Sequence, residues 1–332
     1  MTEKPPDMAG FAAAVRDARA RIIKDIVRTP IEFSRPLSDI AGARVFVKWE
    51  CDQITGSFKL RGALNKLRSL TPGERARGVV SASTGNHGLA MAHAARLEDV
   101  RLELFLPETV SELKKRRLEE LGVRTQIFGS SCEKTESRAR EHASREGRVF
   151  VSPYNDWDII FGAGTVGLEI AEDLRGVEDV IVPVGGGGLV GGIAGYLKAV
   201  RPAVRTAGVE PEASAFMAAS IAAGRLIDID ERPTVADAVA GGIEPGSITF
   251  PLYREAVAET LLVPETAIAA SMALVWERHR RMIEGAGALP LAGLLASPGP
   301  FRGRTVVLVT SGGNIAPQRF REVAGLSLQD GP

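Results

Sequence analysis

One lysine, Lys59, stands between a phenylalanine and an arginine in the stretch TGSFKLRGA, Thr55 to Ala63. An ammonium taken out of water disfavours its charged form, so a lysine in such a setting has either an ion partner or chemical work as a nucleophile or base. An ordinary helix-surface lysine is the alternative. A second signal is PVGGGGLVGG. Its four glycines, Gly185 to Gly188, close an apolar run and open another. Glycines at a strand-to-helix junction let successive N–H groups turn inward at the positive end of the helix dipole, which suits a phosphate, although a tight turn against a sheet would use them too. A dinucleotide reading competes. Gly186, Gly188 and Gly191 fit G-x-G-x-x-G, and Glu210 lies near the offset of a ribose-binding acid. That reading, an NAD-dependent oxidoreductase, leaves Lys59 and the stretch STGNHG, Ser83 to Gly88, unexplained. The four histidines, His87, His93, His142 and His279, show no metal-like i, i+4 spacing, so no zinc site is expected.

These residues need elements to hold them. A chain of 332 residues suggests about two domains, and its 41 basic residues balance its 41 acidic ones. Nothing in that balance favours nucleic acid or an anionic membrane as partner. Cys51 and Cys132 are its two cysteines, and the start MTEKPPDMAG lacks a basic, then apolar, leader pattern; a cytoplasmic protein is expected. The uncharged run Val180 to Leu197 has membrane-span length but contains seven glycines and a proline, which makes it a loop with flanks.

Strand and helix patterns alternate, as in parallel sheets covered by helices. Strands are expected at RVFVKWE, GVVSAS, RLELFLP, VRTQIFG, GRVFVSP, DVIVPV, RTAGVE, TLLVP and RTVVLVTS. Helices are expected near 58–67, 85–96, 110–121, 132–145, 159–174, 189–200, 265–281 and 286–296. Glycine and proline gather at the strand ends, where open α/β sheets bind ligands. Two Ser-x-x-Lys matches, at Ser111 and Ser131, lack the companion motifs of an acyl-enzyme site and read as surface helix residues.

GSFKLRGA, STGNHG, PVGGGGLVGG and TSGGN, in that order and spread over most of the chain, resemble the fold type II pyridoxal-phosphate enzymes, within them the serine/threonine dehydratase and serine racemase group. RTPIEFSRPLSD is similar to the segment preceding the lysine motif there. The resemblance implies a tryptophan-synthase-beta-like α/β fold of two open parallel-sheet domains with pyridoxal 5'-phosphate in the cleft. Residues 1–72 and 155–332 would form the large cofactor-binding domain, and 73–154 the small substrate-binding domain. Lys59 would link to the cofactor aldehyde and, once freed, take the substrate α-proton. Phe58 would lie against the ring and Asn86 would bond its 3-oxygen. Gly185, Gly186, Gly187 and Gly188 with the Leu189 N–H would hold the phosphate, and Ser311 would face the pyridine nitrogen. Glu284 matches a glutamate near the cofactor, with a helix N-terminal role as alternative. Ser83, Thr84, Asn86 and His87 would receive the substrate carboxylate, His87 having a capping or packing role as alternative.

The implied reaction turns a β-hydroxy amino acid such as L-threonine or L-serine into a 2-keto acid and ammonia in a homodimer. A racemase is the alternative within the fold, and a non-catalytic cofactor carrier a further one. Thr84 bears on this, since racemases of the group carry serine there as the second-face acid/base. Their divalent-cation site would use Glu210, but Phe216 stands where its aspartate is aligned, with Glu212 nearby. Ala238 and Ala163 replace a glycine and a glutamine usual in dehydratases, and both are expected near the pocket. TVADAVAGGI and IEGAGA look like the hydroxyectoine-utilisation dehydratase branch. The chain after TSGGN is too short for the regulatory domain of biosynthetic threonine deaminases.

Overall fold

A computed structural model describes residues 7–326 except 109 and 111, so the Ser111 match lies outside the described residues. Its strands are β1 (Ile31–Phe33), β2 (Arg44–Trp49), β3 (Val79–Ala82), β4 (Leu102–Leu106), β5 (Arg124–Ile127), β6 (Val149–Phe150), β7 (Asp179–Pro183), β8 (Arg205–Pro211), β9 (Glu259–Val263) and β10 (Thr305–Thr310). Two sheets result, a six-stranded one in the order β1-β2-β10-β7-β8-β9 and a four-stranded one in the order β5-β4-β3-β6. Only β1 runs antiparallel to its neighbour. Every other pairing is parallel, as the alternating pattern requires.

The centre of the large sheet explains its sequence. On β10, Val306 and Leu308 face one apolar cluster with Val45 and Val47, while Val307 and Val309 face the other with Val180 and Val182. A strand buried on both faces reads as a continuous apolar run, and VVLV is one. The four-stranded sheet packs through Val79 and Leu104 against Leu60, Leu64 and Leu67 of helix Lys59–Ser69. Residues three and four apart on that helix share a face, so its apolar stripe points inward while its first residue, Lys59, stays at the rim.

The expected helices are present within a few residues, the first at Lys59–Ser69 and the glycine-loop helix at Gly188–Val200. The expected strand GRVFVSP is reduced to Val149–Phe150. Helix Met8–Ile22, capped by the Asp7 side chain, was not expected from its alanine-rich sequence. It buries Phe11 and Val15 in the cluster with Ile160 and Ile193. Ser131 caps helix Cys132–Arg145 by accepting from the Lys134 N–H, which accounts for the second Ser-x-x-Lys match.

Candidate active site

The C-terminal ends of β2, β10 and β7 lie side by side, because Thr310 pairs with Trp49 and Leu308 with Ile181. Ligands of open α/β sheets bind at such ends, where the strand order reverses. β2 leads to Lys59, β10 to Ser311 and β7 to the glycine loop, whereas β3 and β6 of the other sheet lead to STGNHG and to Pro153–Asn155.

Lys59 opens its helix with no acidic residue in the first turn, and its Nζ donates to the Pro153 carbonyl at 2.7 Å. The Phe58 ring lies 5.1 Å from that nitrogen. Burial pushes the amine down to about 8, against a smaller opposing effect of Glu284. A neutral amine is therefore accessible near physiological pH, as a nucleophile or proton acceptor needs. Phe58 is itself fixed by its N–H to the Ser311 carbonyl at 3.0 Å. Ser311 is 4% exposed, and its hydroxyl makes no hydrogen bond among the described residues.

Gly187 caps helix Gly188–Val200 with φ of +88°, a backbone region that favours glycine. Gly186 is needed for space, since a Cβ there would stand 2.4 Å from Cγ of Tyr154. The tyrosine ring thus lies directly on the loop, and its hydroxyl accepts from the Glu244 N–H at 2.9 Å. Gly186→Ala is expected to push the ring away and distort the cradle, raising the dissociation constant of added pyridoxal phosphate at least about tenfold in a visible titration. An unchanged constant would mean that the phosphate is held elsewhere.

Helix Asn86–Leu97 starts the third wall. Asn86 Nδ2 donates to Glu284 Oε1 at 2.6 Å, and Asn314 Nδ2 donates to Asn86 Oδ1 at 2.7 Å and to the Thr55 carbonyl at 2.8 Å. This relay ties the segments that follow β2 and β10 to the start of STGNHG's helix beside the second sheet. Glu284 precedes helix Gly285–Ala296 without a side-chain bond to its N-terminus, so it faces Asn86 instead of serving as a cap. Ser83 Oγ accepts from the Gly85 N–H at 3.2 Å, which shapes the turn, and the Thr84 hydroxyl makes no hydrogen bond among the described residues.

His87 is buried. The Ser81 hydroxyl donates to the Val151 carbonyl at 2.7 Å and must therefore accept from His87 Nε2 at 3.0 Å. Burial, together with nearby Lys59, pushes the imidazole down to about 3 and keeps it neutral. The bond to Ser81 supports the packing role for its Nε2 edge, while Nδ1 has no partner and the backbone N–H at the helix start is a group it can offer a carboxylate.

Glu210 is buried, and its two oxygens accept the Met217 and Ala218 N–H groups at 2.9 and 2.7 Å. A ribose has no access to it, which removes the acid that the dinucleotide reading required. Burial pushes this carboxyl up to about 7. Among the described residues, one group could hold a metal ion: Glu103, His142 and Glu146. There Arg148 Nη1 already occupies Glu103 at 2.6 Å. Ala163 is buried in the core cluster with Phe11 and Val15, not at the pocket, whereas Ala238 is exposed beside Val239, whose carbonyl approaches Gly185.

Sequence reading missed Tyr154 and the relay role of Asn314. The final residue of TSGGN signalled the second; nothing local signalled the first. The residues fit pyridoxal phosphate: a glycine cradle at a helix N-terminus, an amine of lowered basicity, an unbonded Ser311 hydroxyl, and the buried Ser57 Oγ and His87 Nδ1 without partners. These features belong to a two-sheet α/β enzyme that carries a phosphorylated cofactor between strand ends.

Comparison with known proteins gives the family. Residues 22–312 match PALP, the pyridoxal-phosphate dependent enzymes, and the chain belongs to that family. It is 39% identical to the L-threonine ammonia-lyase of Thermotoga maritima, over 89% of this chain and 73% of that protein. The processed form of threonine deaminase isoform 2 from Solanum lycopersicum superposes with a TM-score of 0.90 at 30% identity, covering 99% of this chain and 97% of that one. Maize serine racemase superposes with a TM-score of 0.88 at 31% identity, covering 94% and 95%. The cofactor expected from the sequence, pyridoxal phosphate, is the cofactor of this family, and the expected fold type II architecture is the one observed.

Proposed function

We propose that this chain is an ammonia-lyase that converts a β-hydroxy amino acid such as L-threonine or L-serine to a 2-keto acid and ammonia. The observation that carries the reading is the Lys59 amine, lowered to about 8, held by one carbonyl and set among strand ends that bear a phosphate cradle. The names of the Thermotoga and tomato proteins support it.

Bound pyridoxal phosphate supplies the electron sink that labilises bonds at the substrate Cα. Gly185 to Gly188 and the Leu189 N–H would hold its phosphate, with Phe58, Asn86 and Ser311 the residues that would bind its ring, oxygen and nitrogen. Glu284 positions the Asn86 amide. Ser83, Thr84, Asn86 and the His87 N–H receive the substrate carboxylate at the positive end of a helix. Lys59 Nζ would take the α-proton and return it to the β-hydroxyl, which departs as water as the Cβ–O bond breaks, and a second water would hydrolyse the released enamine to keto acid and ammonia. The proposal includes a large body of residues 1–72 and 155–332, a small one of 73–154, a homodimer and a cytoplasmic location. The four-stranded sheet, contained within residues 79–150, supports that division, and among the described residues no helix is long and apolar enough to cross a membrane.

The test is the visible spectrum of the purified holoenzyme with a panel of β-hydroxy amino acids, assaying keto acid, ammonia and enantiomers together. Stoichiometric keto acid and ammonia from one member is the expected result. Enantiomer exchange with little ammonia would make the unbonded Thr84 hydroxyl a second-face acid/base and the protein a racemase.

The lowered Lys59 also sets a pH dependence. With cofactor removed, capture of added pyridoxal phosphate needs the neutral amine. Its rate is expected to level off above about 8 and to fall roughly tenfold per unit below it. A rate still rising steeply near pH 10 would place the amine in water.

A further inference from the structure

Away from the cleft, the far ends of two helices leave a depression of about 370 Å³. Arg16, Ala171, Glu172, Arg175, Tyr196 and Arg201 line it, with Val200. Arg16 and Arg175 are exposed, and neither pairs with a carboxylate among the described residues. Arg201 is fixed: its guanidinium donates to the Arg175 and Ala171 carbonyls, both at 2.7 Å, near the end of helix Trp157–Asp173. Helix C-termini repel anions. Here, however, Arg201 covers the terminal carbonyls and presents its remaining N–H groups beside two free cations. The one carboxylate on the rim, Glu172, is already paired with Arg28 at 2.9 Å.

An independent observation comes from the floor. Tyr196 lines this depression, 5% exposed as a whole residue, and its hydroxyl reaches solvent there with no hydrogen-bond partner among the described residues. Such a hydroxyl is available to donate to a ligand in the depression. In a chain of zero net charge, three guanidinium groups around an unbonded hydroxyl form a local cationic site. We propose that this depression binds a small multivalent oxyanion, a polyphosphate or polycarboxylate, through forked contacts from Arg16, Arg175 and Arg201 and a donated bond from Tyr196.

Titration calorimetry on the holoenzyme, whose glycine loop is filled by its own cofactor, tests this with pyrophosphate and with citrate at constant ionic strength. One saturable site per chain is expected for at least one probe, and the better binder identifies phosphate or carboxylate as the recognised group. The double variant R16A/R175A is expected to weaken that site at least tenfold. Tyr196→Phe, which leaves the charge in place, is expected to weaken it about threefold to tenfold. No saturable binding of either probe, or equal affinity in wild type and both variants, overturns the proposal.

Discussion

Lys59→Ala is expected to lower turnover by at least about a thousandfold, because it removes both the amine that takes the α-proton and the covalent anchor of the cofactor. The fold should not suffer. The amine makes one hydrogen bond, to the Pro153 carbonyl, and its burial disfavours the charged form, so its loss removes an electrostatic penalty at neutral pH. The variant should therefore unfold at the wild-type temperature or above it, retain the far-ultraviolet spectrum, and fail to show the visible band that borohydride removes. Normal turnover with an intact band would end the assignment of Lys59.

The opposite pattern is expected two residues on. Arg61 is fully buried, with Nη1 on Glu169 and Nη2 on Glu50, both at 2.8 Å, and Lys48 Nζ lies 2.6 Å from Glu169. Burial alone would lower the basicity of Arg61, but Glu50 and Glu169 overcome it and hold the guanidinium charged. The same pairing overcomes burial at Glu169 and keeps its carboxyl below the ordinary value. Removing the shared cation leaves two desolvated carboxylates with one lysine between them. Arg61→Leu is expected to destabilise the protein by about 3–5 kcal/mol. Denaturant unfolding at pH 7 reads this as a lower midpoint at unchanged slope. Wild-type stability should also fall with acid. A carboxyl held below its unfolded value contributes stability above that value and loses it as pH drops through the folded one. Stability of the leucine variant within about 1 kcal/mol of wild type would show that the network contributes little.

These two positions illustrate what could be read from the chain. Lys59, the glycine loop, STGNHG and TSGGN were legible because each combines a chemical group with a turn at a strand end, a local pattern carried by adjacent residues. Helix limits were legible to within a few residues for the same reason. The importance of Arg61 was not, since its partners Glu50 and Glu169 lie on other elements and no spacing links them. Tyr154 escaped likewise: it meets Gly186 only once both sheets are built. Ala163 misled in the other direction. Its place beside a departure from family pattern suggested the pocket, while its neighbours on helix Trp157–Asp173 turn it toward Phe11. The N-terminal helix lacked bulky apolar residues at regular spacing, so its stripe of Phe11, Ala12, Val15 and Ala18 became evident only against the helices it covers.

The order β2-β10-β7 also sets a timetable for biosynthesis. The four-stranded sheet uses a continuous stretch within 79–150 and can assemble while the rest of the chain is still on the ribosome. The six-stranded sheet cannot, because its central strand is synthesised last and must enter between two partners made long before. Until Thr305–Thr310 emerges, β2 and β7 have no shared neighbour, and the strand ends bearing Lys59 and the glycine loop are not held together. A nascent chain thus becomes competent to retain its cofactor only once Thr305–Thr310 has been made, and a product cut short before that strand leaves an apolar slot open to aggregation.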